Sequence, residues 1–197
     1  MVWVLGVGGA MLLPGGALAG RQREELLVDS VRTALSAAIQ NLAPPIPEFE
    51  DTSSRLNHLR WLGEMSARLI KRKPDANVRR EFLQTVWYES KRAGLDTDLV
   101  LGLIQVESNF RKFAVSVAGA RGYMQVMPFW TRVLADGNSA ALFHLQTNLR
   151  FGCVILRHYL DIERGDLFLA LGRYNGSRGK AAYPQAVLGA RRLWGFA

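Results

Sequence analysis

The stretch LGLIQVESNFRKFAVSVAGARGYMQVMP, residues 101–128, contains a single acidic residue, Glu107. Asp96 or Thr97, shortly upstream, can cap a helix that runs through DLVLGLIQVE. Because this segment is apolar on every side, we expect the helix to be buried in the core. Its last turn then brings one carboxylate to the edge of the core, directly before a turn rich in small residues.

Upstream of this segment the sequence predicts three more helices. The first covers residues 21–42 and ends at the prolines of residues 43–47, since proline does not fit inside a helix. We expect Pro74 to end the second, Asp75 or Asn77 to cap the third, and Gly94 to close it. The apolar side chains expected to face inward on the second and third helices are Leu59, Leu62, Met65, Leu69, Val78, Phe82 and Val86.

Downstream, two further helical patterns cover residues 151–161 and 166–174. No segment shows the sustained alternation of a strand, and no repeat is visible. The sequence therefore predicts an all-α fold. The single cysteine, Cys153, lies in an apolar helical pattern, which predicts a buried thiol with a structural role.

The composition favours a basic globular protein. The chain has 197 residues, of which 49% are hydrophobic and 21% charged, and its net charge is +8. That size suits one domain with a core plus an appendage. The Lys and Arg residues are scattered without a recognition-helix pattern, so we expect an acidic substrate or a wall polymer as partner and no nucleic acid.

The first 19 residues carry no charged side chain and end in ALA, which fits a small-x-small cleavage site. The sequence therefore predicts an export signal, or a poor membrane anchor if the segment is kept. An exported protein of this kind would act in the periplasm. The three histidines have no metal-ligand spacing, and we expect no metal and no cofactor.

The position of Glu107 suits a proton donor. Burial disfavours the ionised carboxylate, and the negative end of the helix dipole acts in the same direction, so both raise the pKa. A carboxyl that stays protonated near neutral pH can donate a proton to a leaving oxygen, as glycosidic cleavage requires. A solvent-facing glutamate at a helix end is the plain alternative.

Most glycosidases use two carboxylates, about 5–5.5 Å apart in retaining enzymes and about 6.5–9.5 Å apart in inverting ones. The next acidic residue after Glu107 is Asp136. A more distant carboxylate could fold in beside Glu107. If none does, the substrate must supply its own nucleophile.

Several motifs in order resemble the catalytic domain of the soluble lytic transglycosylases, lysozyme-like enzymes that cleave peptidoglycan. They are Glu107-Ser108, AVS at 114–116, AGARGYMQVMP at 118–128, NLRFG at 148–152, YL at 159–160 and ALGRYNGS at 170–177. The resemblance covers residues 78–197. It implies a lysozyme-like helical domain, with residues 20–77 as a helical extension and residues 1–19 as the hydrophobic segment.

The resemblance also implies a mechanism. Glu107 would be the sole acid/base: it would protonate the oxygen between N-acetylmuramic acid and N-acetylglucosamine, then deprotonate the muramic acid 6-hydroxyl. That hydroxyl would close onto the anomeric carbon and leave a 1,6-anhydro sugar. The alternatives are a lysozyme-type hydrolase with Asp136 as the second carboxylate, and a wall-binding or secretion-machinery accessory protein that docks through residues 21–77.

The resemblance implies roles for further residues around the carboxylate. Ser108 and Gln125 would orient sugar or carboxyl groups, Tyr174 would place its hydroxyl near Glu107, and Asn175 would brace the site. Tyr123 stands where the family has leucine and would add a stacking surface or narrow the cleft. The other residues assigned to substrate binding are Ser116 in the AVS motif, Met124 as core or cleft lining, and Tyr183 facing the cleft.

Overall fold

The computed structural model describes residues 48–133 and 137–196. Six α-helices lie in these ranges: α1 Thr52–Leu69, α2 Ala76–Arg92, α3 Thr97–Ser108, α4 Leu145–Ile162, α5 Leu167–Asn175 and α6 Ala182–Arg191. Three short 3₁₀ helices cover Pro128–Val133, Ser139–Phe143 and Arg192–Trp194. Within the described ranges there is no strand, only two isolated bridges, so the all-α prediction is confirmed.

Asp51 caps the N-terminus of helix α1, and its side chain accepts a hydrogen bond from the Ser54 amide. The prediction that Pro74 ends this helix is wrong, because α1 stops at Leu69. The predicted inward face is also wrong in part: Leu59 is 50% exposed, and the buried face consists of His58, Trp61, Met65 and Leu69. The predicted and the observed inward residues both have helical spacing, so periodicity alone does not decide which face of α1 packs against the core.

Asp75 caps the N-terminus of helix α2 as predicted, and its side chain accepts a hydrogen bond from the Val78 amide at 2.8 Å. Phe82 and Val86 are fully buried as predicted, whereas Val78 is exposed, which corrects its assignment to the core. The helix closes at Gly94, which adopts φ +64° as a glycine after a helix end commonly does.

Helix α3 is buried on all sides, as the sequence predicts. Asp96 is its N-terminal cap residue by position, although its side chain makes no capping hydrogen bond. The helix ends after Ser108, because Asn109 and Phe110 both adopt positive φ and turn the chain away. A Cβ on Gly102 would lie 2.7 Å from the backbone nitrogen of Arg191, so this glycine lets α3 approach α6 closely.

Helices α4 and α5 correspond to the two predicted downstream patterns. Helix α4 begins at Leu145, six residues before the predicted start, and α5 is capped by Asp166. Helix α6 was not predicted from the sequence, because its small residues and its proline, in AYPQAVLGAR, form no clear apolar stripe. Cys153 is buried on α4, and burial raises the pKa of its thiol, which confirms the structural interpretation.

One hydrophobic core joins the helices, and α1 contributes Trp61, Met65 and Leu69 to it. The boundary between residues 77 and 78 stays a prediction, and it falls inside α2. Residues 1–47, with the predicted signal, first helix and proline break, lie outside the described residues. Among the helices that the structure describes, none is long and apolar enough to cross a membrane.

Candidate active site

Glu107 lies in the last turn of α3 and is 3% exposed. Tyr183, at the start of α6, donates a short hydrogen bond from its hydroxyl to Glu107 Oε1. The other oxygen, Oε2, is buried and has no hydrogen-bond partner. The close crossing of α3 and α6 at Gly102 brings these two side chains together from positions 76 residues apart in the sequence.

Burial raises the pKa of Glu107 to about 8, and the Tyr183 hydrogen bond partly offsets this increase. No second carboxylate is among the causes of this pKa shift. Burial, and then the charge of Glu107, raise the pKa of Tyr183 well above its usual value, so its phenol stays protonated and remains a donor. The carboxyl of Glu107 is therefore protonated at neutral pH, with an oxygen free to carry the proton.

A tight turn, residues 114–126, packs against the end of α3. Two isolated bridges, from Val115 to Arg121 and from Arg121 to Val126, define it. Gln125 adopts φ +48°, and its side-chain nitrogen donates hydrogen bonds to the carbonyls of Ala114 and Gly122 at 3.1 and 2.9 Å. The amide of Gln125 therefore holds the turn closed from within.

Different contacts explain why small residues occupy several positions in this turn. The Ser116 hydroxyl accepts a hydrogen bond from the Ala120 amide at 3.0 Å, which closes the loop around Gly119. Gly122 adopts φ +77°, and a Cβ there would lie 2.6 Å from the carbonyl oxygen of Leu142. The glycine-rich segment is thus a tight turn pressed against its neighbours, as the sequence indicates.

Asn148, on α4, is the residue that anchors this turn. Its amide nitrogen donates to the carbonyls of Arg121 and Leu142 at 2.9 and 2.8 Å, and its oxygen accepts from the Met124 amide at 2.8 Å. Met124 is fully buried above Gly152, where a Cβ would lie 2.7 Å from the Met124 Cβ. The NLRFG motif contains both contacts, but the sequence gives no role to Asn148.

Ser108 and Tyr174 bind backbone carbonyls around the site. The Ser108 hydroxyl lies 2.7 Å from the carbonyl of Tyr123, which joins the end of α3 to the turn. The Tyr174 hydroxyl donates to the carbonyl of Met124 at 2.8 Å, and its predicted position near Glu107 stays a prediction, while Tyr183 donates to Glu107 directly. Asn175 is buried at the end of α5, where Gly176 closes the helix at φ +74°.

Tyr123 is 3% exposed, so its ring presents little surface to a ligand in this structure, and its assignment to substrate binding stays a prediction. Its ring packs 4.9 Å from that of Phe82, and its hydroxyl lies 2.7 Å from the Lys73 Nζ. Burial lowers the pKa of Lys73 to about 8, with a smaller effect from Lys112. A buried amine from the segment between α1 and α2 thus reaches the turn that packs on α3.

Glu89, a buried carboxylate that the sequence reasoning did not weigh, lies on α2. Arg150 binds it with two hydrogen bonds of 2.6 and 2.8 Å, and Gln146 and Arg92 also donate to it. Both oxygens are therefore taken up in joining α2 to α4. Within the described ranges, no cluster of His, Cys, Asp or Glu could hold a metal ion. Asp136 lies outside those ranges.

A large cavity of about 550 Å³ lies at the opposite end of α3 from Glu107. Its walls include Trp61, Trp87 and Trp194, together with Asp96 and Asp98 of the first turn of α3. The Asp96 and Asp98 wall lies about ten residues of helix, or roughly 15 Å, from Glu107, and neither Glu107 nor Tyr183 lines the cavity. It is therefore distinct from the candidate active site.

The chain is similar to known proteins of one enzyme family. The family described as the transglycosylase SLT domain matches residues 84–187, more than half of the chain. A membrane-bound lytic murein transglycosylase C of Haemophilus ducreyi is 32% identical over 150 residues, which is 72% of this chain and 37% of the relative. Its counterpart in Mannheimia succiniciproducens is 42% identical over 77 residues, 39% of this chain and 21% of the relative. The chain thus spans well under half the length of these curated relatives.

Among solved structures, the X-ray structure of an inactive mutant of the lytic transglycosylase Slt from Pseudomonas aeruginosa superimposes with a TM-score of 0.52. The identity is 20%, and the alignment covers 72% of this chain and 29% of the other. This similarity concerns the fold, and it agrees with the predicted lysozyme-like architecture.

Proposed function

This chain belongs to the transglycosylase SLT domain family, and from that premise we propose that it cleaves peptidoglycan glycan strands as a lytic transglycosylase. The observation that carries the proposal is the state of Glu107, a buried carboxyl with a pKa of about 8 and one oxygen without a partner. Such a group is a general acid ready to act at neutral pH. The relatives' names, which include murein and membrane, support a cell-envelope substrate and location.

In the proposed mechanism, Oε2 of Glu107 donates its proton to the oxygen that links N-acetylmuramic acid to N-acetylglucosamine. The bond from that oxygen to the anomeric carbon breaks as the proton arrives. The resulting carboxylate then removes the proton of the 6-hydroxyl of the muramic acid, whose oxygen bonds to the anomeric carbon. The products are a 1,6-anhydro end and a free 4-hydroxyl, and Glu107 is protonated again.

Tyr183 and the turn have supporting roles in this proposal. Tyr183 holds Oε1, so that Oε2 is the oxygen that carries the proton, and it stabilises the carboxylate between the two steps. Because Oε2 is closed off from solvent, substrate reaches it only when the surrounding side chains move. Export through residues 1–19 and action in the periplasm complete the proposal.

Product analysis tests the mechanism. Purified peptidoglycan is digested with the wild type and with Glu107→Gln, and the soluble fragments are analysed by mass spectrometry. We expect anhydro ends from the wild type and no fragments from Glu107→Gln. Reducing ends from the wild type, with one additional water in each product, would indicate a hydrolase and direct attention to Asp136.

A further inference from the structure

The loop that leads from α3 into the turn exposes a group of apolar side chains. Phe113 is 70% exposed, and Val115 and Val117 are exposed as well. Single exposed apolar residues are common on soluble proteins, but several in a row beside a functional site indicate a contact surface. These three lie at alternate positions within five residues.

Two aromatic rings and two cations form one continuous surface here. The ring centroids of Phe113 and Phe143 are 5.8 Å apart, and the rings are tilted by 50°. Lys112 Nζ lies 5.3 Å from the Phe113 centroid, and the Arg121 guanidinium lies 5.6 Å from the Phe143 centroid. We call these four residues, Lys112, Phe113, Arg121 and Phe143, the aromatic rim.

The aromatic rim is fixed to the turn that packs on the end of α3. The carbonyl of Ala114, next to Phe113, accepts hydrogen bonds from Gly122 and Gln125 at 2.9 and 3.1 Å. Arg121 pairs through its backbone with Val126, and its guanidinium donates to the Ser139 hydroxyl at 3.0 Å. Because these contacts hold Arg121 and the backbone beside Phe113 in place, a ligand that binds the rim would order few additional backbone groups.

We propose that the aromatic rim is a subsite for the glycan strand, with a sugar ring stacked on Phe113 and a carboxylate of the lactyl group or stem peptide held by Lys112 and Arg121. This inference rests on the proposed function. A pyranose ring has a face of C–H groups that can bury the exposed surface of an aromatic ring. The two cations complement the negative charge of the polymer.

Binding is measured with the Glu107→Gln protein, so that no cleavage occurs during the experiment. The two probes are purified peptidoglycan and a neutral N-acetylglucosamine hexamer. We expect Phe113→Ser to weaken binding of both by about five-fold, as loss of roughly 1 kcal/mol of apolar contact would do. We expect Lys112→Gln to weaken only the binding of peptidoglycan, with an effect that fades at high salt.

The controls match each change. Phe113→Trp keeps an aromatic face and should bind as the unchanged protein does. Val78→Ser removes an exposed apolar side chain on α2, and Lys71→Gln removes an exposed cation after α1, and neither should alter binding. In proteins that retain Glu107, Phe113→Ser should raise KM rather than lower kcat.

The outcomes separate this inference from the proposed function. If the wild type cleaves peptidoglycan and Phe113→Ser binds as well as Val78→Ser, the subsite is wrong and the catalytic proposal stands. A protein that binds the glycan through Phe113 but does not cleave it supports the subsite and overturns the catalytic proposal. Binding of neither probe, together with no cleavage of peptidoglycan by the wild type, overturns both. A separate measurement with vesicles of anionic lipid tests the other occupant: if Phe113→Ser loses vesicle binding and keeps glycan binding, the subsite is wrong and the rim contacts lipid.

Discussion

Two buried glutamates on adjacent helices have opposite surroundings. Glu89 on α2 is bound by Arg150 through two hydrogen bonds and also contacts Gln146 and Arg92. Glu107 on α3 has one hydrogen bond, from Tyr183, and one bare oxygen. The two residues are almost equally buried, at 1% and 3% exposure.

The difference shows that the partners of a buried carboxylate, more than its burial, decide what it can do. Glu89 faces the guanidinium groups of Arg150 and Arg92, so its two oxygens are used to hold α2 against α4. Glu107 has no cation among its hydrogen-bond partners, and burial therefore keeps it protonated to about pH 8. The first arrangement stabilises the fold, whereas the second keeps a proton available.

Glu107→Gln should have the largest effect and should change activity and stability in opposite directions. We expect cleavage of peptidoglycan to fall by about 10³-fold or more, since the proton donor is lost. The wild type must take up a proton at Glu107 on folding between pH 4.5 and about 8, so its stability decreases as pH rises through this range. At pH 7 the variant should be more stable by on the order of 3 kcal/mol. Denaturant unfolding at pH 5 and pH 8 measures this.

The pH dependence of that gain is the decisive part. It should fall below about 1 kcal/mol at pH 5, which is only slightly above the ordinary pKa of 4.5, and disappear at about pH 3.5, where Glu107 is close to neutral in the folded and the unfolded chain. A gain of equal size at both pH values, or a loss of stability at pH 8, would contradict a protonated buried carboxyl.

Glu89→Gln should reduce stability, because Arg150 would remain buried without its counter-charge. We expect a loss of about 3–5 kcal/mol in the free energy of unfolding. The double variant Glu89→Leu with Arg150→Met, which removes both charges, should lose less than either single change. If Glu89→Gln instead left stability unchanged but abolished cleavage, Glu89 would be the second catalytic carboxylate.

Tyr183→Phe removes the hydrogen bond that Glu107 accepts from Tyr183. The Tyr183 hydrogen bond lowers the pKa of Glu107, so its loss should raise that pKa further above about 8. The alkaline limb of the pH profile of kcat/KM should therefore move to higher pH, and the maximal rate should fall about ten-fold as the carboxyl loses its alignment. Tyr88→Phe on α2 is the control. A shift towards lower pH would refute the role of Tyr183.

Lys73 and Tyr123 should show the smallest effect. Tyr123→Phe leaves the buried Lys73 ammonium without its oxygen partner, which should cost about 1–3 kcal/mol in the free energy of unfolding. Adding Lys73→Met removes the unpaired charge and should restore most of this loss. Thermal or denaturant unfolding of the two singles and the double measures the coupling. Strictly additive losses would mean that the two groups do not depend on each other.

The sequence predicted part of the site and failed where a side chain had two possible environments. The position of Glu107 at the end of a buried helix was predictable, because the segment before it is apolar on every side, whereas its burial was decided by the tertiary structure. Whether Tyr123 is exposed or buried was not predictable, because an aromatic residue beside a turn can line a cleft or pack in the core. In the folded protein Phe82 packs against the Tyr123 ring and Lys73 contacts its hydroxyl, and the side chain is buried. Asn148 escaped notice because its three hydrogen bonds reach parts of the chain that only folding brings near.

The sequence by itself determined the helical class, the burial of α3 and the single carboxylate at its end, because these follow from side-chain polarity along a few turns of chain. The tertiary structure decided that Tyr183 donates a hydrogen bond to Glu107, since Tyr183 lies on a helix that the sequence pattern did not reveal. The tertiary structure also decided that Glu89, rather than Glu107, is bound by Arg150. Both outcomes depend on distances between segments far apart in the chain, and a carboxyl's pKa responds to those distances rather than to its sequence neighbours.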